Sequence, residues 1–519
     1  MKGWIIFVVS LVLYGVSVFG GFIQDDLKIV SGDPEMGKIS PLVATWTRPY
    51  YYLEGPETGV YRPLTSFSLY LNALVLGTDS WGFRLVNVLF YSGVCFLVYE
   101  VFKKIFEDYE KSPKNEAFLF ALLFLVLPIH TEVVNNIVGR AEMLSLGFVL
   151  LAIILQYKKK WELSAFAFFL ALLSKETAIV GLPVLLYLIL TGKGKKDLKV
   201  GVAMFYAFVT VTFLVLRMMV LGGNGLSNNA TMVENHLRFV SSEVRVQNAF
   251  ALVPFGIGKV VFPINLSYDY SFNQLKLVSG WFDWKVLLGI LLMAMSLGSL
   301  FTKLRGNKLW ILGQAFFWGP LLITGNFLFP IGTIFGERLW FWPSLGMVMM
   351  ALSISCPAVH IHLKNRTLFC LRKSRPDLQP KTSRVRKDQA FWLCAIFSKL
   401  DKYFGLLLIL VLLSRTMVRN IDWLSQERLF VHDAGYVQNS VMAQSNKAAI
   451  LLMSNDLEGG KVVMEKADEI YPKYPELLNN WGMYYLWTGD KDKAMEKFEE
   501  CLVERPGFYL CEGNLGLVK

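Results

Sequence analysis

The chain offers little sulfur chemistry: its six cysteines stand at no metal-ligating spacing, which excludes a zinc module. It has no repeated half, which speaks against the paired-repeat layout of secondary transporters. No small-residue cleavage site follows its first apolar block, so residues 4–22 read as a retained first helix and not as a removed leader. The net charge is +11, yet the cations are not gathered into a basic patch. They sit in short runs between apolar blocks, where membrane orientation signals belong, and this argues against a nucleic-acid partner. What the chain does have is apolar mass: 54% hydrophobic and 14% aromatic residues, with a mean hydropathy of +0.43. That is the composition of an integral membrane protein.

A hydrocarbon core of about 30 Å needs roughly 20 apolar helical residues per crossing. Blocks at 4–22, 83–102, 117–132, 142–157, 161–173, 177–190, 200–221, 284–300, 310–327, 339–356 and 403–417 predict about eleven transmembrane helices in an all-α, polytopic protein. With the N-terminus inside, the loops 103–116, 158–160, 191–199, 301–309 and 358–389 carry the dense Lys and Arg runs, as cytoplasmic loops do. The loops 23–82 and 222–283 and the C-terminal tail then lie outside the cytoplasm. Within the first loop, 64–76 is too short to span and reads as a helix lying at the interface. The segments 161–173 and 177–190 are short for spans and are separated at Ser174-Lys175-Glu176. The segment 250–262, carrying Pro254, Gly256, Gly258 and Pro263, reads as a broken interfacial or re-entrant stretch. Cys95, Cys356, Cys370 and Cys394 lie in or near apolar blocks, where packing is their expected role. For Cys501 and Cys511 two separate core thiols are expected, with a disulfide as the alternative.

The tail shows a period of 34 residues. Trp481, Gly482, Tyr485, Gly489, Ala494, Phe498 and Pro506 fall on the signature positions of a tetratricopeptide repeat (TPR). A weaker copy precedes it at Ala448, Leu451, Gly460, Met464 and Pro472, and a third begins at Leu515-Gly516. Three parts follow: a transmembrane domain over 1–420, a connector over 421–440 and helical repeats over 441–519. Two repeats and a fragment are marginal alone, so the tail is expected to lean on the membrane domain or a partner.

Ionisable residues collect at the outer ends of helices, where a charge near bilayer depth costs about 2.5–3.5 kcal/mol unless paired or used. Asp25 and Asp26 follow directly on the first helix. A carboxylate there can take a proton from an acceptor hydroxyl while a donor's lipid tail stays in the bilayer; the pair's other use is to hold a divalent cation. Arg62, Arg84, His130, Glu132, Arg140, Glu142, Lys175, Glu176, Glu337 and Arg338 occupy comparable positions. Each alone is as well read as a snorkelling anchor. Their accumulation on one side is what exceeds chance.

At these residues the chain resembles the transmembrane and tetratricopeptide-repeat protein O-mannosyltransferases of the GT-C glycosyltransferase superfamily. The resemblance rests on Asp25-Asp26, Tyr61-Arg62-Pro63-Leu64-Thr65, Pro128-Ile129-His130-Thr131-Glu132 through Gly139-Arg140-Ala141, and Ser174-Lys175-Glu176. It continues with Leu266-Ser267-Tyr268-Asp269-Tyr270-Ser271, Phe329-Pro330-Ile331-Gly332, Glu337-Arg338 and the repeat tail. Glu142, Ala178 and Tyr270 depart from the family's usual Asp, Gly and Trp. The resemblance implies a GT-C fold and transfer of mannose, with inversion, from a polyprenyl (dolichyl) phosphate to Ser or Thr hydroxyls of extracytoplasmic proteins. It assigns Asp25 as base with Asp26 beside it, and Arg62, Arg140, Lys175 and Arg338 to the donor phosphate. His130, Glu132, Glu176, Asp269 and Glu337 are further site candidates. The partners implied are the lipid-linked donor, the bilayer and an acceptor protein engaged by the repeats. Glycosylation of a lipid or polysaccharide is the alternative reaction, and a non-catalytic scaffold the alternative role. Short loops and a short array favour a prokaryotic plasma membrane over the endoplasmic reticulum.

Overall fold

The computed structural model describes residues 2–107, 114–192, 195–226, 230–278, 280–355 and 387–518, without the side chains of 114, 226, 355 and 387–404. Cys356, Cys370 and the basic loop 358–386 lie outside the described residues, and so does the side chain of Cys394. Among the described residues every regular element is a helix. The described residues of each of the eleven apolar blocks are largely helical. Four helices are long and apolar enough to cross a membrane, and a fifth crossing is available if the bent pair Asn115–Leu125 and Pro128–Asn135, which turns through 52°, counts as one. Pro128 sets that bend, because it has no N–H to continue the helical ladder.

The chain breaks at Lys175, which is extended (φ −159°, ψ 138°) between the helix Trp161–Ser174 and the turn Glu176–Val180. The two-helix reading of 161–190 therefore holds. The interfacial segment is a 14-residue helix, Pro63–Leu76, opened by a proline whose missing N–H costs nothing in the first turn. At 250–262 the structure corrects the sequence reading: Ser242–Val261 is one continuous 20-residue helix with Pro254 inside it. Its Gly256 admits the ring of Trp340, which a Cβ would meet at 1.8 Å, so this glycine serves packing and not a break.

The tail is a stack of helices at Val441–Met453, Leu457–Ile470, Pro475–Trp487, Lys491–Glu504 and Tyr509–Val518. Cys501 and Cys511 form a disulfide, against the expectation of separate thiols. They come together because the helix bearing Cys511 folds back beside the one bearing Cys501, a juxtaposition that the spacing leaves open. Val233 and Phe272 from the 222–283 loop pack into the tail's own core, beside Tyr471 and Tyr474. Backbone bonds seal the contact: Phe272 N donates to Val233 O, Val441 N to Phe272 O and Asn273 N to Asn439 O. At its base, the buried Arg419 guanidinium grips Asp433 through two bonds of 2.6 and 2.8 Å, and Asp433 also accepts from the backbone N of Tyr268. The tail thus leans on the membrane domain, on the same side as the 222–283 loop.

Candidate active site

The charged residues that sequence scatters over more than 300 positions meet around one cavity of about 600 Å³. Asp25, Arg62, Glu142, Lys175, Glu176 and Arg338 all line it. The turn Glu337–Trp340 presents Arg338, whose Nη1 lies 3.3 Å from Asp25 Oδ2 and 3.6 Å from Glu132 Oε1. Glu132, buried, also accepts the backbone N–H of Arg338 at 2.8 Å, so one carboxylate fixes both ends of this residue. Arg62 makes a two-pronged pair with Glu176, at 3.0 and 2.6 Å. Burial alone would raise the Glu176 carboxyl, but the Arg62 charge holds it well below the usual carboxylate range. The ammonium of Lys175 pairs with Glu142 in a nearly dry setting.

Other expected site residues stand behind the wall. Asp26 is fully buried, and its carboxylate accepts from the backbone N–H of Val138 (3.1 Å) and Ile23 (3.4 Å). It ties the chain after the first helix to the 137–139 turn and so fixes where Asp25 points. Among the described residues no three His, Cys, Asp or Glu stand as a metal-ligating group. Arg140 spends its guanidinium on Asn87, Asn72 and the carbonyls of Ser68 and Phe83, which places it in the scaffold and not at the cavity. His130 is buried between Tyr91 Oη and Ser344 Oγ, at 2.8 Å from each. Arg84 caps the carbonyls of Ser17 and Gly21. Asp269 accepts from Ser271 and Ser440 at the tail joint. Glu337 accepts from Ser267 N and Tyr270 Oη, and burial pushes its carboxyl up to about 8.

Several groups in the wall escape the sequence reading, Tyr50, Tyr51 and Arg217 among them. Tyr50 and Tyr51 carry no charge to draw attention. Arg217 stands one turn before the end of the apolar block 200–221 and comes close to the helix-end criterion that selects the others, yet it passes unnoticed there. Its Nη2 donates to the carbonyls of Gly59 and Gly225, at 2.6 Å each, and its buried Nη1 has no partner among the described residues. Five acids and five bases line the cavity: Glu54 and Glu234 join Asp25, Glu142 and Glu176, while Lys28 and Arg217 join Arg62, Lys175 and Arg338. The wall is balanced, so an entering anion must draw a cation away from an internal partner. Arg217, held by neutral carbonyls alone, and Arg338, whose tie to Asp25 is longer than the bonds between Arg62 and Glu176, are the cheapest to redirect.

Burial holds the Asp26 carboxyl up at about 7, against the opposing pull of Arg84 and the backbone donors. The folded protein therefore keeps a proton that the unfolded chain releases near pH 4. Its stabilising contribution is complete below pH 4 and is lost as pH rises through about 7, by an amount on the order of 4 kcal/mol. Thermal unfolding in detergent is expected to weaken from pH 5.5 to 7.5, with Asp26→Asn flattening the trend and Glu337 leaving a remainder of the same sign. An equal slope in wild type and Asp26→Asn would remove this assignment.

The family model described as dolichyl-phosphate-mannose-protein mannosyltransferase matches residues 59–221, a stretch that carries Arg62, Lys175, Glu176 and Arg217 and excludes Asp25 and Arg338. A protein O-mannosyl-transferase of Caenorhabditis elegans is 26% identical over 70% of this chain and 52% of its own length. Human protein O-mannosyl-transferase TMTC4 is 26% identical over 70% of this chain and 56% of its own length; for human TMTC1 the figures are 24%, 91% and 55%. The chain thus spans about half the length of the curated relatives it matches. These relatives come from animals and lend no support to the prokaryotic preference. No solved structure matches.

Proposed function

We propose that this chain is a protein O-mannosyltransferase of the transmembrane and tetratricopeptide-repeat type, which transfers mannose from a polyprenyl (dolichyl) phosphate to Ser or Thr hydroxyls of proteins on the extracytoplasmic side. The observation that carries the reading is the placing of a carboxylate, Asp25, beside a guanidinium, Arg338, on the wall of a cavity lined by further cations. The acceptor oxygen attacks the anomeric carbon as the bond from that carbon to the phosphate oxygen breaks, which inverts the configuration. Asp25 takes the hydroxyl proton, and the polyprenyl phosphate leaves with the bonding electrons. A phosphate is a tolerable leaving group, so the reaction needs a base and cations more than a general acid. When the donor phosphate draws Arg338 from Asp25, the carboxylate is freed for its role as base. Arg217, which lines the cavity and whose buried Nη1 has no partner among the described residues, is the second cation we assign to the phosphate. The test is transfer of mannose to an acceptor protein by the purified full chain in proteoliposomes supplied with dolichyl-phosphate mannose. Mannose appearing only on lipid would favour the alternative reaction.

The same reading includes eleven crossings, a membrane domain over 1–420, a connector over 421–440 and tetratricopeptide repeats over 441–519 that engage the acceptor. Three observations support a repeat tail on the extracytoplasmic side, the first of them for the repeats and the other two for the side. Helix starts recur at Val441, Pro475 and Tyr509, one repeat length apart. The tail's core shares Val233 with the loop whose next residue, Glu234, lines the cavity. The disulfide of Cys501 and Cys511 suits an oxidising compartment. A cysteine replacing Lys491 is expected to react with an impermeant maleimide from the extracytoplasmic side of sealed vesicles. Labelling only from the opposite side would mean that the crossing number is wrong.

A further inference from the structure

A second cavity, of about 520 Å³, lies outside the catalytic wall between the helices Ser242–Val261 and Trp284–Ser299 and the loop that joins them. Its walls are chiefly carbon, from Ala251, Leu252, Phe255, Leu275, Val278 and Leu288. It shares no lining residue with the catalytic cavity. Beside it, Leu287, Leu291 and Met295 are exposed at four-residue spacing, the stripe that a helix turns to hydrocarbon. Trp281 and Trp284 stand exposed at the outer end of that helix, as aromatic side chains do at the level of lipid headgroups. Two exposed lysines, Lys276 and Lys285, also line this cavity, and neither meets a carboxylate in an ion pair among the described residues. The nearest acids in sequence are engaged elsewhere: Asp283 caps the helix through the backbone N–H of Lys285, and Glu243 accepts from the indole of Trp281.

An apolar chamber beside a lipid-facing helix, with two unneutralised ammonium groups at its headgroup end, fits one ligand class. We propose that this cavity binds an anionic phospholipid, with the phosphate between Lys276 and Lys285 and an acyl chain within the chamber. A neutral lipid would leave both charges unmatched. The site lies apart from the proposed transfer reaction and does not depend on it.

The test is native mass spectrometry of the full chain in mild detergent, titrated with phosphatidylglycerol or with phosphatidylcholine of the same acyl chains. Retention of one phosphatidylglycerol in clear preference to phosphatidylcholine is expected. Each basic residue near a membrane surface contributes about 1 kcal/mol toward an anionic lipid, so the Lys276→Gln, Lys285→Gln double variant should bind phosphatidylglycerol about 30-fold more weakly. Leu288→Trp, which fills the chamber and keeps both lysines, should abolish retention of either lipid. Thermal unfolding checks that both variants remain folded; should Leu288→Trp unfold, Ala251→Leu replaces it as the filling variant. Equal retention of the two lipids, or retention unchanged in the lysine and chamber variants, would overturn the proposal. Displacement of phosphatidylglycerol by equimolar dolichyl phosphate would also overturn it, by giving the site to a prenyl lipid.

Discussion

Asp25→Asn is expected to lower mannosyl transfer by about 10²-fold or more while the protein stays inserted and folded, the usual scale for losing a positioned base. The substitution keeps the shape of the side chain and removes its capacity to hold a proton. Asp25 is partly exposed to the cavity, and among the described residues its side chain carries no structural bond beyond the tie to Arg338, so the fold has little to lose. Asp26 differs in kind. Its carboxylate is fully occupied by backbone donors, and Asp26→Asn would set an amide N–H₂ against one of those N–H groups, acting on stability first. The measurement is single-turnover transfer in proteoliposomes with both variants at matched expression. Activity of Asp25→Asn within a few-fold of wild type would take Asp25 out of the mechanism.

Arg338→Gln is expected to weaken donor use by roughly ten- to hundred-fold, the value of one charge-assisted contact of about 1.5–3 kcal/mol. Arg338→Lys should recover little, because a planar guanidinium can keep its tie to Glu132 while it turns from Asp25 to a phosphate oxygen, whereas an ammonium acts as a point charge. Arg217→Gln gives the complementary case. Its partners are neutral carbonyls, so its loss leaves no carboxylate stranded and should appear in donor dependence with stability preserved. Lys175→Met behaves otherwise, since it strands the buried Glu142. The double replacement with Glu142→Gln removes that cost and isolates any effect on the donor. Donor dependence unchanged in Arg338→Gln, Arg217→Gln and the double variant would reduce these residues to anchors.

Much of the fold is legible in the chain because its signals are local. Runs of apolar residues long enough to cross hydrocarbon mark the helices, and Ser174-Lys175-Glu176 marks a break that the structure places at Lys175. The 34-residue spacing is likewise written in residue types, and the tail's helix starts follow it. Where the reading fails, the decisive contact is distant. Gly256 reads as a helix breaker until Trp340 is seen to occupy the space it leaves. Cys501 and Cys511 read as separate thiols until two helices fold side by side.

The site divides on the same physical line. By itself the sequence determines which charges stand at the outer ends of helices, since a charge at bilayer depth is too costly to place without a reason. It cannot determine which of them face a cavity, because exposure depends on how separate helices pack. Only the tertiary structure turns Asp25 into the cavity and Asp26 into the backbone behind it. It commits Arg140 to four internal bonds while leaving the buried Nη1 of Arg217 without a partner among the described residues, and it brings Arg338 across 313 residues to the side of Asp25. Adjacent residues thus take different roles and distant ones share a site, because the partners that neutralise or expose a charge are set by packing and not by sequence neighbours.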